Sequence, residues 1–211
     1  MGNNLPPYSA YEMLTSLGPL TSEGSVSLEA FTAFCEKFPE LIAEREASGK
    51  VIVMSPVKSG SGERESYLNG YVFSWNLTNK KPGRVYSPST GFLLGDEEVR
   101  CGDAVWVSNE RLENFLADPE HENKWVDAVP EFVIELRSKS DSLKKLKRKM
   151  TETWMANGVL LGWLIDPKKE ITYIYRQGQD EPEEVRNFET SVLSGEEVLP
   201  GFVFPLVELN L

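Results

Sequence analysis

The chain of 211 residues contains one histidine, two cysteines and no apolar run of membrane-spanning length. Each scarcity removes a class of chemistry. His121 stands alone in the polar segment ADPEHENK (117–124), so a histidine-based triad or metal centre has little to build on. Cys35 and Cys101 are too few for a Cys/His zinc cluster; each sits among apolar residues and reads as a buried thiol of a reducing cytosol. Positive charge is also short. The 22 Lys and Arg are outnumbered by 33 Asp and Glu, for a formal net charge of -11. That balance argues against tight non-specific nucleic-acid binding, while leaving room for an enzyme that holds nucleic acid locally and briefly. The loop KSGSGERE (58–65) lacks G-x-x-x-x-G-K-[ST], so a nucleotide P-loop is not supported. The start MGNNLPPYSAYEML has no basic region followed by an apolar stretch, so no signal peptide is expected. Its Met-Gly opening has no second membrane signal behind it, and a cytoplasmic protein with no membrane partner is expected.

Apolar residues make up 40% and charged residues 26%, the balance of an ordinary globular protein. Residues 1–26 read as an N-terminal extension and 27–211 as a single domain. Ser27 can cap a helix through Phe38, with Leu28, Phe31, Cys35 and Phe38 on one face. Segments 41–46 and 50–54 read as a hairpin around AlaSerGly (47–49), and 63–79 as a second helix. Strands are expected near 84–87, 90–94 and 99–107, then a short helix at 109–117. Residues 118–130 read as a loop, a candidate flap. Strand 131–137, helix 142–157 and strand 160–165 read as a βαβ crossover, so the two strands are expected to be parallel. Strands at 171–175 and 183–188 close the order. It is that of an α/β (α+β) protein with a mixed central sheet. Trp106 and Trp163 read as core.

Two of these strands carry acids. VRCGDAVWV (99–107) places Asp103 inside an apolar run, and EFVIELRS (131–138) places Glu135 at the end of one. A buried acid is costly unless it is paired or holds a metal. The next helix, SLKKLKRKMTETWMANG (142–158), is lysine-rich. Two carboxylates around one cation with a lysine beside them is an arrangement used in metal-dependent phosphodiester cleavage. Alternatives stand beside each residue. Asp103 could be bonded to neighbouring amides, and Glu135 could pair with Arg100 or Arg137. The lysine run could be a solvated face built on the buried stripe Leu143, Leu146, Met150 and Trp154.

The pattern R-x-x-D-A-x-W-V (100–107), F-V-I-E-L-R-S (132–138), K-M (149–150), N-G-x-x-L-G-W-L-I-D-P (157–167) and L-S-G-E-x-V-L-P-G-F (193–202) resembles the Uma-type putative restriction endonuclease family of the PD-(D/E)XK nuclease superfamily. The resemblance runs from about residue 28 to the end. It implies a restriction-endonuclease-like fold, a mixed central β-sheet flanked by helices. It also implies a DNA substrate, a Mg²⁺ or Mn²⁺ cofactor and a homodimer. By the same resemblance Asp103 and Glu135 are the motif acids; Mg²⁺ takes oxygen ligands, which these two carboxylates could supply, with the main-chain carbonyl of Leu136 a third oxygen. Glu44 matches an earlier acid, with Glu46 its alternative, and Lys149 matches the catalytic lysine. The chain departs from the superfamily pattern at Gly102, where proline is usual, with little expected consequence. It departs again at Arg137, which stands where the lysine usually lies. Arginine can steady a phosphate but is a poor base, which leaves Arg137 and Lys139 as alternatives to Lys149.

Overall fold

A computed structural model of the chain describes residues 20–210; the expectations for the first 19 residues, including the Met-Gly start, lie outside the described residues. The chain forms two compact units. The first holds the described residues up to Pro56 together with Asp96–Glu98, and the second holds Val57–Gly95 and residues 99–210.

In the first unit, Ser27 caps helix α1 (Leu28–Lys37) by accepting the Ala30 N–H at 3.2 Å. Its expected apolar face is only partly used. Phe31 is fully buried, Cys35 is half-buried and Phe38 is 37% exposed. Phe38 instead rests against Phe34, with ring centroids 5.2 Å apart. Strands β1 (Leu20–Thr21), β2 (Ile42–Arg45) and β3 (Val51–Met54) pair antiparallel in the order β1-β3-β2. The turn between β2 and β3 closes through the Gly49 N–H to Glu46 O, with Gly49 at φ +77°. Glu44 lies opposite Ile52. Beside it Arg45 is buried, donating to the main-chain oxygens of Val26 and Glu97.

The second unit is built on a six-stranded mixed sheet. Its strands are β4 (Gly83–Tyr86), β7 (Ala104–Ser108), β8 (Phe132–Leu136), β9 (Leu161–Asp166), β10 (Ile171–Arg176) and β11 (Glu183–Arg186), in the order β11-β10-β9-β8-β7-β4. Strands β8 and β9 are parallel, as the crossover requires, and the other pairs are antiparallel. Short strands β5 (Phe92–Leu93) and β6 (Val99–Arg100) pair antiparallel. Strands β12 (Val192–Ser194) and β13 (Val203–Pro205) do the same.

Alternation along the strands divides the core into two layers. Trp106, Phe132, Ile134 and Trp163 face helix α2 (Ser59–Thr78) through Leu68, Val72 and Trp75. Val105, Val107, Val133 and Leu164 face Leu112 of helix α3 (Asn109–Ala117) and Met150 and Trp154 of the crossover helix. Both tryptophans are therefore core. This is the expected mixed α/β sheet flanked by helices.

Four local expectations change. Helix α2 begins at Ser59, because Arg64 ties its Gly/Ser-rich first turn, bonding the Gly60 and Leu209 carbonyls. The expected loop at 118–130 contains a 3₁₀ turn, His121–Asn123, and is pinned rather than a flap: Val126 exchanges hydrogen bonds with Gly91 and Leu93. The expected strand 99–107 is split, with Cys101–Asp103 carrying the chain from β6 to β7. Finally, the crossover helix is α-helical only as α4 (Leu143–Arg148); Lys149–Met155 is a π-helical turn. Gly162 makes room for that turn, since a Cβ there would lie 2.4 Å from Met150 Cε.

Gly102 sits in the split. A Cβ at this position would lie 2.7 Å from Val133 Cγ2 and 2.8 Å from Val105 Cγ2, so proline, usual in the superfamily pattern, has no space here. Gly102→Ala is expected to cost about 1–3 kcal/mol through overpacking. Denaturant unfolding checks this, and a variant as stable as the parent would show that the two valines can move aside.

Candidate active site

Strand register brings the two motif acids together. Ala104 is opposite Ile134 in the β7–β8 ladder, and the Asp103 N–H donates to Ile134 O at 2.9 Å. Continuing that register by one residue sets Asp103 opposite Glu135. Both then share the sheet face of Val105 and Val133, the face covered by the crossover helix. The Leu136 N–H donates to Asp103 Oδ2 at 2.5 Å, holding the carboxylate against the end of β8.

The π turn supplies the partners of Glu135. Its wider i→i+5 winding places Lys149 and Trp154, five residues apart, over the same carboxylate. Lys149 Nζ lies 2.8 Å from Glu135 Oε1, and Trp154 Nε1 donates to the same oxygen at 2.7 Å. The Lys149 ammonium also donates to Cys101 O at 2.7 Å, in the segment leading to Asp103, and lies 5.8 Å from the Trp154 ring centroid. Glu135 is 3% exposed and Trp154 is fully buried. The anion is thus taken from water into a charge-assisted, hydrogen-bonded pair.

Asp103 carries the opposite electrostatic burden. Burial, followed by the negative charge of Glu135, pushes its carboxyl well above the usual range; the Leu136 N–H and the Lys149 charge pull it partly back, and Glu65 pushes it up again. Glu65 is half-buried on α2, and its own carboxyl is raised by burial and by Asp141. Next to it on α2, Asn69 Nδ2 donates to the main-chain oxygens of Glu65 at 3.0 Å and Asp103 at 2.6 Å.

The other sequence candidates lie as follows. Arg137 is committed elsewhere: its Nη1 pairs with the buried Asp166 Oδ2 at 2.6 Å and its Nε donates to Asp141 O. Asp166, read as a turn residue, does cap the following turn through the Lys169 N–H, but it is also this arginine's counter-ion. Lys139 is exposed. In the lysine run, Lys147 is half-buried with Nζ 3.6 Å from the Tyr173 ring centroid, so it does not simply face solvent. Glu44 is 3% exposed within the first unit, and Glu46 is half-buried. Sequence reasoning passed over Glu65, Asn69 and Trp154. Trp154 reads as core by its spacing, and nothing in the sequence indicates the extra residue that turns its N–H onto Glu135.

The donor set suits a hard divalent cation. Two carboxylates on adjacent strands repel each other, and a cation between them would relieve that repulsion. Among the described residues, no three His, Cys, Asp or Glu side chains gather as a metal-holding group, so remaining ligands would be main-chain oxygen or water. Mg²⁺ accepts such a site because it keeps several waters.

A family model described as Uma2, putative restriction endonuclease, matches residues 28–207. Among solved structures, a putative nuclease belonging to DUF820 from Anabaena variabilis ATCC 29413 shares the fold, with a TM-score of 0.69 and 19% identity over 87% of this chain and 97% of its own. No curated protein matches.

Because the folded state raises the Asp103 pKa, folding of the metal-free protein takes up protons there, and stability falls as pH rises through the raised value. Asp103→Asn keeps an oxygen for the Leu136 N–H and removes the repulsion. It is expected to raise Tm at pH 8, with the gain vanishing at low pH, where Asp103 is protonated; a lower Tm at pH 8 would contradict this. Lys149→Met leaves Glu135 buried without its cation and is expected to cost about 3–5 kcal/mol. Adding Glu135→Gln should recover most of that loss in denaturant unfolding, and additive losses would contradict the pair.

Proposed function

Because the chain belongs to the Uma2 family of putative restriction endonucleases, we propose that it is a Mg²⁺- or Mn²⁺-dependent endonuclease that hydrolyses DNA phosphodiester bonds. The observation that carries this reading is the opposed Asp103 and Glu135 with the Lys149 ammonium 2.8 Å from Glu135. In this proposal Asp103, Glu135 and the main-chain carbonyl of Leu136 hold the metal. Glu44 is assigned as a further acid on family resemblance, with Glu46 its alternative.

When bound, the metal supplies charge neutralisation at the phosphate and a more acidic water. The chain's own residues do the rest. Leu136 fixes the Asp103 carboxylate through its N–H. Trp154 and Lys149 converge on Glu135 Oε1 and keep that carboxylate oriented. Lys149 donates to two oxygens in this arrangement, which supports a role as a positioned point charge toward phosphate rather than as a proton acceptor. A homodimer, which would suit cutting two strands, belongs to the same proposal, as does a cytoplasmic location. Among the described residues no helix is long and apolar enough to cross a membrane.

A second reading, a nuclease-fold binding module without activity, is favoured by the formal charge of -11 and by the engagement of Lys149 in a buried ion pair. Cleavage of plasmid and single-stranded DNA with Mg²⁺ or Mn²⁺ decides between them. The wild type should cut, and Asp103→Ala and Glu135→Gln should lose about 100-fold or more in rate. Lys149→Arg should keep the fold while losing most activity, because the planar guanidinium cannot reproduce the compact charge. A wild type that cuts neither DNA form with either metal would leave the binding-module reading.

A further inference from the structure

On helix α2, Phe73 is 53% exposed, and Leu77, one turn further on, is also exposed. Between this helix and the end of β4 lies an open cleft of about 430 Å³. Glu65, Ser66, Asn69 and Phe73 line it from the helix, and Tyr86 and Ser87 from the strand end. Glu65, Asn69 and Phe73 fall at the i, i+4 and i+8 spacing of one face. The Tyr86 ring is held edge-on against the buried Phe92, with centroids 5.3 Å apart and planes at 83°. The cleft reaches the segment that carries one of the two acids. Asn69, in its wall, is the residue that donates to Asp103 O at 2.6 Å.

The lining decides what can enter. Among the described residues that form it there is one carboxylate, Glu65, and no Lys or Arg. A phosphate there would meet Glu65 and no cation in the lining. A neutral heteroaromatic ring would meet two aromatic side chains, hydroxyls and a carboxylate able to accept from an exocyclic amine. We propose that this cleft receives an unpaired nucleobase next to the scissile phosphate, so that the preferred substrate is single-stranded DNA or duplex carrying an unpaired nucleotide. In a matched duplex both faces of each base are stacked and the amine is paired, so the ring cannot enter without being unstacked. The chain's charge agrees with this. A protein at -11 gains little from the dense phosphate array of a duplex, whereas base–aromatic stacking needs no positive charge.

The inference deepens the nuclease reading and rests on it for the identity of the ligand, and a binding experiment separates the two. Fluorescence anisotropy is measured with a labelled single-stranded oligonucleotide and with its matched duplex, in Ca²⁺ to suppress turnover. The wild type should bind the single strand more tightly. Phe73→Ala should weaken single-strand binding roughly five- to hundredfold, with duplex binding and Tm unchanged, and Phe73→Trp should restore it. Equal single-strand binding by Phe73→Ala, or preference of the wild type for the matched duplex, would overturn the proposal. So would a Phe73→Ala change from dimer to monomer in light scattering with the strand preference intact; the face would then be a contact between copies. If the wild type binds single strands through Phe73 but cuts no DNA with Mg²⁺ or Mn²⁺, the cleft assignment stands and the nuclease reading falls.

Discussion

The buried ion pair between Glu135 and Lys149 is the constraint around which the second unit is arranged. An isolated carboxylate in the core would cost several kcal/mol, and it is tolerated because an ammonium and an indole N–H both reach one of its oxygens. Those two donors are five residues apart, which an ordinary α-helical turn does not stack. The helix therefore widens into a π turn over Lys149–Met155. The widened turn presses Met150 onto the sheet, and Gly162 is bare there to receive it. The same ammonium reaches back to Cys101 O, which fixes the segment that delivers Asp103. One electrostatic requirement thus links a helix irregularity to the break between β6 and β7.

Asp103 shows the other side of the arrangement. Its charge is opposed by burial and by Glu135, and only partly relieved by the Leu136 N–H and Lys149. The fold holds an anion where an anion is unwelcome. Sites built for a cation or for phosphoryl chemistry have this character, because the strain is released when the positive partner arrives.

Much of this was legible in the sequence, and the limits have physical causes. The crossover, the parallel β8–β9 pair and the core tryptophans follow from apolar runs and helical spacing, which are local signals. Asp103 and Glu135 were visible as acids in apolar strands, and Lys149 as a lysine beside the buried stripe. The split of strand 99–107 was not legible, because Val99 through Val107 are apolar enough to read as one strand; the contacts of Gly102 with Val133 and Val105 are tertiary. Nor was the π turn, since inserting one residue per turn leaves no composition signal. Glu65 and Asn69 looked like ordinary exposed positions of a polar helix. Only the packing of α2 across the sheet brings them to Asp103.

The central claim is that Asp103 and Glu135 share one divalent cation. A crystal soaked in Mn²⁺, with data collected at a wavelength where manganese scatters anomalously, tests it most directly. One anomalous peak is expected within about 2.0–2.5 Å of an oxygen from each carboxylate, absent from crystals of Asp103→Ala. A peak bound elsewhere on the chain, or none at saturating Mn²⁺, would contradict it.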